Sequence, residues 1–110
     1  MEKKYTWHLI AMHPNELDFT LDGIAIANLN GRKICIGKHN DSYFAFAYKC
    51  PHANGIMAYG YINTKGEAVC PAHQYKFNLI NGKNTSGQGY YLKTYPLQIT
   101  NEGIMVGEAV

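Results

Sequence analysis

The 110-residue sequence is short of cysteine, of charge and of long apolar runs. Its three cysteines are an odd number, which argues against a disulfide framework. No run approaches the length of about eighteen apolar residues that a membrane span needs. The start, Met1 to Lys4, is charged and continues without the apolar core of a secretory signal. These absences predict a cytoplasmic protein with no membrane span.

Charged residues make up only 16% of the sequence, and the formal net charge is +2. The lysines and arginines form no stripe along the sequence that could follow a phosphate backbone, which excludes nucleic acid as a partner. Apolar residues make up 46%, with nine tyrosines and four phenylalanines, as in a folded globular chain. We therefore expect one domain over residues 1–110 whose partners are proteins.

Turn signals recur at short intervals, and the segments between them are typical of β-strands. The clearest signal is Asn30-Gly31, a hairpin turn in which both central residues take positive φ. The predicted strands are Ile24 to Leu29, Lys33 to Gly37, Tyr43 to Tyr48, Glu67 to Cys70, Tyr75 to Leu79, Thr94 to Thr100 and Gly103 to Val106. No segment has a convincing helical period. The pattern favours an all-β fold, a small antiparallel sandwich or barrel.

Two short motifs carry the chemistry of the sequence: Cys50-Pro51-His52 and Cys70-Pro71-Ala72-His73, with seventeen residues between His52 and Cys70. Residues two apart in extended backbone point the same way, and a turn brings residues three apart onto one side. Each motif can therefore aim one thiol and one imidazole at a common point. Two sulfurs and two nitrogens suit an iron-sulfur centre or zinc. Residues 48–89, which contain all four, are predicted to be a metal-binding insert.

The other cysteine and histidines have simpler interpretations. Cys35 lies alone in a predicted strand, where cysteine usually serves as a small buried hydrophobe. His8, His13 and His39 lie outside the two motifs, and we expect ordinary surface or core roles for them.

The motifs and their surroundings resemble the Rieske family, whose pattern C-x-H, a spacer in the high teens and C-x-x-H is matched by Cys50, His52, Cys70 and His73. The resemblance extends through residues 69–78 to Asn81-Gly82 and Tyr95-Pro96-Leu97, so it covers most of the chain. It implies a [2Fe-2S] cluster with Cys50 and Cys70 on one iron and His52 and His73 on the other. It also implies that residues 48–89 are the cluster-binding subdomain, with residues 1–47 and 90–110 as a basal β domain.

Departures from the family pattern indicate a subtype. Members from respiratory complexes join the two loops by a disulfide, but the equivalent positions here are Gly55 and Ala72. High-potential members place serine and tyrosine hydroxyls two and four residues after the second histidine, where this chain has Tyr75 and Phe77. The sequence is therefore similar to soluble, disulfide-free Rieske ferredoxins. Without those donors we expect a potential in the lower part of the Rieske range of roughly −150 to +300 mV.

The resemblance implies an electron carrier between a reductase and an oxygenase or other oxidoreductase, and not an enzyme in itself. Two alternatives stay open. One is the small subunit of an NADH-dependent nitrite reductase, a Rieske-like fold whose members often lack the cluster ligands. The other is an interaction domain held by zinc, although zinc sites more often pair cysteine with cysteine and histidine with histidine.

Overall fold

Three antiparallel sheets make up the computed structural model, which describes residues 4–52 and 55–110. Residues 1–3, part of the charged start of the sequence, lie outside the described residues, as do residues 53 and 54. The strands of the described part are β1 (Tyr5–Ala11), β2 (Ile24–Leu29), β3 (Arg32–His39), β4 (Ser42–Ala47), β5 (Tyr61–Ile62), β6 (Glu67–Val69), β7 (Lys76–Asn78), β8 (Thr94–Tyr95), β9 (Leu97–Thr100) and β10 (Gly103–Ala109). The sheets have the orders β1-β10-β9, β2-β3-β4-β8 and β5-β6-β7. The all-β prediction is confirmed.

Helical structure in the described residues is confined to two 3₁₀ turns, Pro14–Glu16 and Met57–Tyr59. Neither is long or apolar enough to cross a membrane, nor is any other described segment a helix of that kind.

The four-stranded sheet lies between the other two, and its strand β3 contributes to a buried cluster on each face. Alternate residues of β3 point to opposite faces. Ile34 and Ile36 belong to one buried cluster with Val106 of the first sheet, whereas Cys35 belongs to another with Phe77 of the third sheet. All four residues from Ile34 to Gly37 are buried, as expected for a strand covered on both sides.

The hairpin between β2 and β3 forms as the turn chemistry predicts. Asn30 has φ 51° and Gly31 has φ 87°, and the flanking residues Leu29 and Arg32 pair across the turn. The side chain of Asn28 accepts a hydrogen bond from the backbone N–H of Gly31 at 2.8 Å. This hairpin fixes the register of the sheet on which the ligand-bearing loops are built.

Three elements differ from the sequence prediction, and one of them, the two-residue strand β5, has no counterpart among the predicted strands. β1 was not predicted, and its exposure does not alternate regularly because the register with β10 shifts between Leu9 and Ala11. The predicted strand from Thr94 to Thr100 divides at Pro96, which cannot donate to a ladder. As a result β8 pairs with β4, while β9 pairs with β10 in a different sheet.

Candidate metal centre

The first loop of the site leaves the end of β4 and is closed at its base by backbone hydrogen bonds. Lys49 and Ile56 form an isolated antiparallel bridge. Inside it, the N–H of Cys50 donates to the carbonyl of Gly55 at 2.8 Å. Cys50 is 5% exposed and His52 is half-buried, while residues 53 and 54 of this loop lie outside the described residues.

The second loop is the tip of the hairpin between β6 and β7, as the sequence predicted. Val69 pairs with Lys76, and the N–H of Cys70 donates to the carbonyl of Tyr75 at 2.9 Å. Gln74 donates to the carbonyl of Cys70 at 2.9 Å and takes the left-handed region at φ 59°. For a residue with a Cβ, this conformation is less stable than the right-handed one by about 1 kcal/mol. Glycine would therefore adopt it at a lower cost in free energy.

The two cysteines meet at Gly55. A Cβ placed on Gly55 would lie 2.8 Å from Sγ of Cys70 and 3.5 Å from Cβ of Cys50. Both cysteines belong to one buried cluster together with Phe77. Gly55 therefore lets the first loop approach the second closely, with Cys50 and Cys70 both beside it.

The two histidines also form a pair. Their ring centroids are 4.7 Å apart with an interplanar angle of 76°. Nδ1 of His52 is buried and has no hydrogen-bond partner among the described residues, whereas His73 is exposed. A buried ring nitrogen without a partner is costly unless another group binds it. The donor set thus consists of a sulfur pair and a nitrogen pair.

Two tyrosines flank His52. The ring of Tyr75 stacks on it at 4.0 Å with an interplanar angle of 36°, and the ring of Tyr90 lies 5.7 Å away. Tyr75 and Tyr90 are themselves 6.0 Å apart. Tyr90 was not predicted as part of the site, since it follows the second motif by seventeen residues and no local pattern relates them.

Tyr90 reaches this position through a loop that the side chain of Asn84 supports. Its Oδ1 accepts hydrogen bonds from the N–H groups of Gln88 and Gly89, the latter at 2.9 Å. Its Nδ2 donates to the carbonyl of Lys76 at 3.0 Å, which ties the loop to β7. Asn84 was also missed, because an asparagine in a turn-rich segment is common and gives no sign of which backbone groups it will bind.

The remaining candidates lie away from these pairs. Cys35 is fully buried in β3, and burial raises the pKa of its thiol to about 12. His8 lies in β1 with Nε2 3.5 Å from a carboxylate oxygen of Glu108, and His39 ends β3 beside Asn40. In the described part of the chain, no disulfide links any of the cysteines.

Comparison with known proteins gives a family. The family model described as the Rieske [2Fe-2S] domain matches residues 7–96. The ferredoxin component of the alkene monooxygenase system of Xanthobacter autotrophicus is 21% identical over 82 residues, which cover 74% of this chain and 67% of that protein. The ferredoxin component of the naphthalene 1,2-dioxygenase system of a Pseudomonas species is 28% identical over 79 residues, or 71% and 75% of the two chains.

Solved structures share the fold. The ferredoxin of carbazole 1,9a-dioxygenase from Nocardioides aromaticivorans superposes with a TM-score of 0.77 at 20% identity, covering 92% of this chain and 96% of that one. A protein from Mycobacterium tuberculosis described as an NADH-dependent nitrite reductase small subunit gives a TM-score of 0.81 at 20% identity, covering 97% and 98%.

Proposed function

The chain belongs to the Rieske [2Fe-2S] domain family, which binds a [2Fe-2S] cluster, and we propose that it is a one-electron carrier of the ferredoxin type. In this proposal Cys50 and Cys70 bind one iron, and His52 and His73 bind the other. The observation that carries the proposal is the separation of the donors into a thiol pair at Gly55 and an imidazole pair 4.7 Å apart.

The residues around the proposed site fit the cluster. The buried Nδ1 of His52, without a hydrogen-bond partner among the described residues, would gain a ligand bond. Gly55 leaves space beside Sγ of Cys70 that a Cβ would fill. When bound, the cluster takes up and releases one electron, and two neutral imidazoles in place of two thiolates make its reduction easier.

Residues around the proposed site would exclude water, orient a ligand and offer a partner access to the cluster. The buried cysteines and Phe77 keep water from the sulfur side. Tyr75 and Tyr90 hold the ring of His52, which fixes the orientation of that ligand. His73 is exposed, so its ring offers a partner protein the shortest approach to the site. We therefore propose that electrons leave through the His73 side.

The protein that donates the electron would be a reductase, and the protein that accepts it would be an oxygenase or a similar oxidoreductase. The support is the ferredoxin components of the alkene monooxygenase and naphthalene dioxygenase systems, to which the chain is similar. In this role the chain is a component of an oxidoreductase system and has no substrate of its own. The division into a cluster-binding part at residues 48–89 and a basal part stays a prediction.

A second candidate is the small subunit of a nitrite reductase, favoured by the TM-score of 0.81 to a protein of that description. That likeness concerns the fold alone. The presence of all four ligand residues favours the ferredoxin proposal, since the chain keeps the donors that a cluster requires.

Chemical analysis of the purified protein tests the proposal. We expect a red-brown protein whose visible absorption bleaches with dithionite, with about two iron and two sulfide per chain, as a [2Fe-2S] cluster requires. Replacing His73 by alanine should abolish this absorption, whereas replacing His13 should leave it intact. A colourless protein with one zinc and no sulfide would contradict the proposal and support the zinc alternative.

A further inference from the structure

A groove of about 440 Å³ lies at one end of the four-stranded sheet, next to the first ligand loop. Its walls combine the rings of Tyr48 and Tyr95 with Ala47, and its rim carries Arg32, Lys33 and Lys49. This surface places the half-buried Tyr48 among three positively charged side chains.

The lysines are held against the aromatic walls. Nζ of Lys33 lies 5.5 Å from the ring centroid of Tyr48, and Nζ of Lys93 lies 5.2 Å from that of Tyr95. Both are within reach of a cation–π interaction. Arg32 hydrogen-bonds to Tyr95 and lies 3.7 Å from a carboxylate oxygen of Glu108, and these contacts raise the pKa of its guanidinium. Three of the ten lysines and arginines of the sequence thus line the groove, and Lys93 lies over the ring of one of its lining residues.

Two carboxylates lie at the opposite end of the same sheet. Asp22 and Asp41 line a depression there, together with Lys38 and His39. Since β3 runs from Arg32 to His39, the two ends are about 23 Å apart at 3.3 Å per residue. The groove end of β3 is therefore more positive than the other end, and such a difference can orient an approaching charged partner.

The groove borders the proposed cluster site. Lys49 on its rim directly precedes Cys50 and forms the bridge to Ile56 that closes the first ligand loop. The carbonyl of Tyr48 accepts a hydrogen bond from Met57 at 2.8 Å, which joins the groove wall to the same loop. A protein bound in the groove would therefore lie beside the residues that hold the cluster.

We infer that this groove binds an acidic surface of a protein redox partner, and the inference rests on the proposed electron-carrier function. Carboxylates of the partner would face Arg32, Lys33 and Lys49 in the groove and Lys93 over the ring of Tyr95. An apolar side chain of the partner would cover the half-buried Tyr48, since aromatic residues at the centre of an interface carry much of its binding energy. Opposite charges at the rim raise the association rate and select the partner.

Binding of cytochrome b5, an acidic haem protein that serves as a surrogate partner, tests the inference. Calorimetric titration at low ionic strength would compare the cluster-loaded protein with Lys49→Glu, Lys93→Glu and the matched control Lys38→Glu. All three variants change the net charge equally, but Lys38 lies at the acidic end. We expect Kd to rise about three- to tenfold for each of the first two and to stay within twofold for the control. Added salt should reduce these differences.

Several results would overturn the inference. Equal weakening by Lys38→Glu would show that net charge alone matters, and unchanged binding in Lys49→Glu and Lys93→Glu would show that the groove is not used. Tighter binding of a single-stranded oligonucleotide than of the cytochrome would make the groove a nucleic-acid surface. The visible spectrum of each protein separates the two proposals. A wild-type protein whose spectrum shows no cluster would contradict the proposed function. Variants that hold the cluster and bind the cytochrome as the wild type does would contradict only the role of the groove.

Discussion

Gly55 is the residue on which the thiol pair depends. Its backbone lies so close to Cys70 that an added Cβ would be 2.8 Å from the sulfur and 3.1 Å from Cβ of Ala72. No real Cβ tolerates that distance, so one of the two loops has to move. The requirement comes from contact between loops, and no turn or positive φ at Gly55 signals it.

We therefore predict that Gly55→Ala lowers the iron content per chain severalfold, because the displaced thiol can no longer share a metal site with Cys50. The matched control is Gly107→Ala in β10 of the first sheet, where a Cβ would lie 2.9 Å from Cγ of Pro96. This control should lower the melting temperature and keep the iron. Iron and sulfide analysis of both proteins tests this prediction. Full iron content in Gly55→Ala would contradict it and show that the loops move to accommodate the added Cβ.

Phe77 lies in the buried cluster with both ligand cysteines and carries no hydroxyl. A hydrogen-bond donor near the sulfurs would stabilise the extra negative charge of the reduced state. We predict that Phe77→Tyr raises the reduction potential by about 60 mV, the one-electron equivalent of about 1.4 kcal/mol.

Potentiometry followed by the visible spectrum measures this change. Phe19→Tyr is the matched control, since Phe19 packs against the other core cluster and should leave the potential unchanged. A potential in Phe77→Tyr equal to that of the wild type would mean that the hydroxyl does not reach the sulfurs.

Cys35 gives a prediction about alkaline pH. Burial raises the pKa of its thiol from 9.0 to about 12, so the thiol ionises more readily in the unfolded chain than in the folded one. Its contribution to stability is complete below pH 9 and is lost as the pH rises towards 12. At pH 10.5 the loss amounts to about 2 kcal/mol.

Comparison of the wild type with Cys35→Ala isolates this effect, since the other titrating groups are the same in both proteins. Between pH 8 and pH 10.5 the wild type should lose about 2 kcal/mol more of its free energy of unfolding than the variant does. Urea denaturation at the two pH values measures the difference. Parallel loss of stability in the two proteins would mean that Cys35 does not titrate in this way.

At the scale of elements, the loop at residues 84–89 depends on one side chain. Asn84 accepts from two backbone amides and donates to a carbonyl of β7, and Tyr90 follows directly. We predict that Asn84→Ala speeds hydrogen exchange at the amides of Gln88 and Gly89 at least tenfold, because both lose their acceptor.

NMR-detected exchange can measure those two amides individually. Asn81→Ala is the matched control, since it removes a comparable bond to the N–H of Lys83 in the preceding turn. It should leave Gln88 and Gly89 unchanged. Equal protection in the wild type and Asn84→Ala would show that the loop is held by other contacts.

Strands with local signals could be predicted from the sequence, and strands that depend on distant partners could not. The β2–β3 hairpin follows from Asn30-Gly31, and the β6–β7 hairpin follows from two short β-like runs around the second motif. β1 was missed because its partner is β10, at the other end of the chain, and a register shift disturbs its alternation. The division at Pro96 reflects a change of sheet that no local pattern records.

The same distinction applies to the site. The proposed ligands Cys50, His52, Cys70 and His73 follow from the spacing within each motif. Gly55 and Tyr90 act through contacts between loops that are far apart in the sequence, so local pattern could not identify their roles. Asn84 binds backbone groups within eight residues, but an asparagine in a turn-rich segment does not indicate which ones. The cationic groove is similar, since its residues lie at positions 32, 33, 49 and 93 and come together only in the folded sheet.

At the scale of the whole molecule, the three sheets separate two tasks. The middle sheet has a core on each face, which makes it a rigid base. The third sheet and the loops beside it carry the proposed ligands at one end, with His73 exposed to a partner. The groove lies where these two parts meet, because Tyr48 follows the last residue of β4 and its carbonyl is hydrogen-bonded to the segment after the first ligand loop.

The central claim is that two histidines and two cysteines of this chain hold one [2Fe-2S] cluster. Pulsed electron paramagnetic resonance of the dithionite-reduced protein tests it most directly, since it detects nitrogen bound to the iron. We predict couplings to two imidazole nitrogens in the wild type and to one in His73→Cys, with a lower potential in that variant. A reduced protein with no paramagnetic signal, or a signal without coupled imidazole nitrogen, would contradict the account.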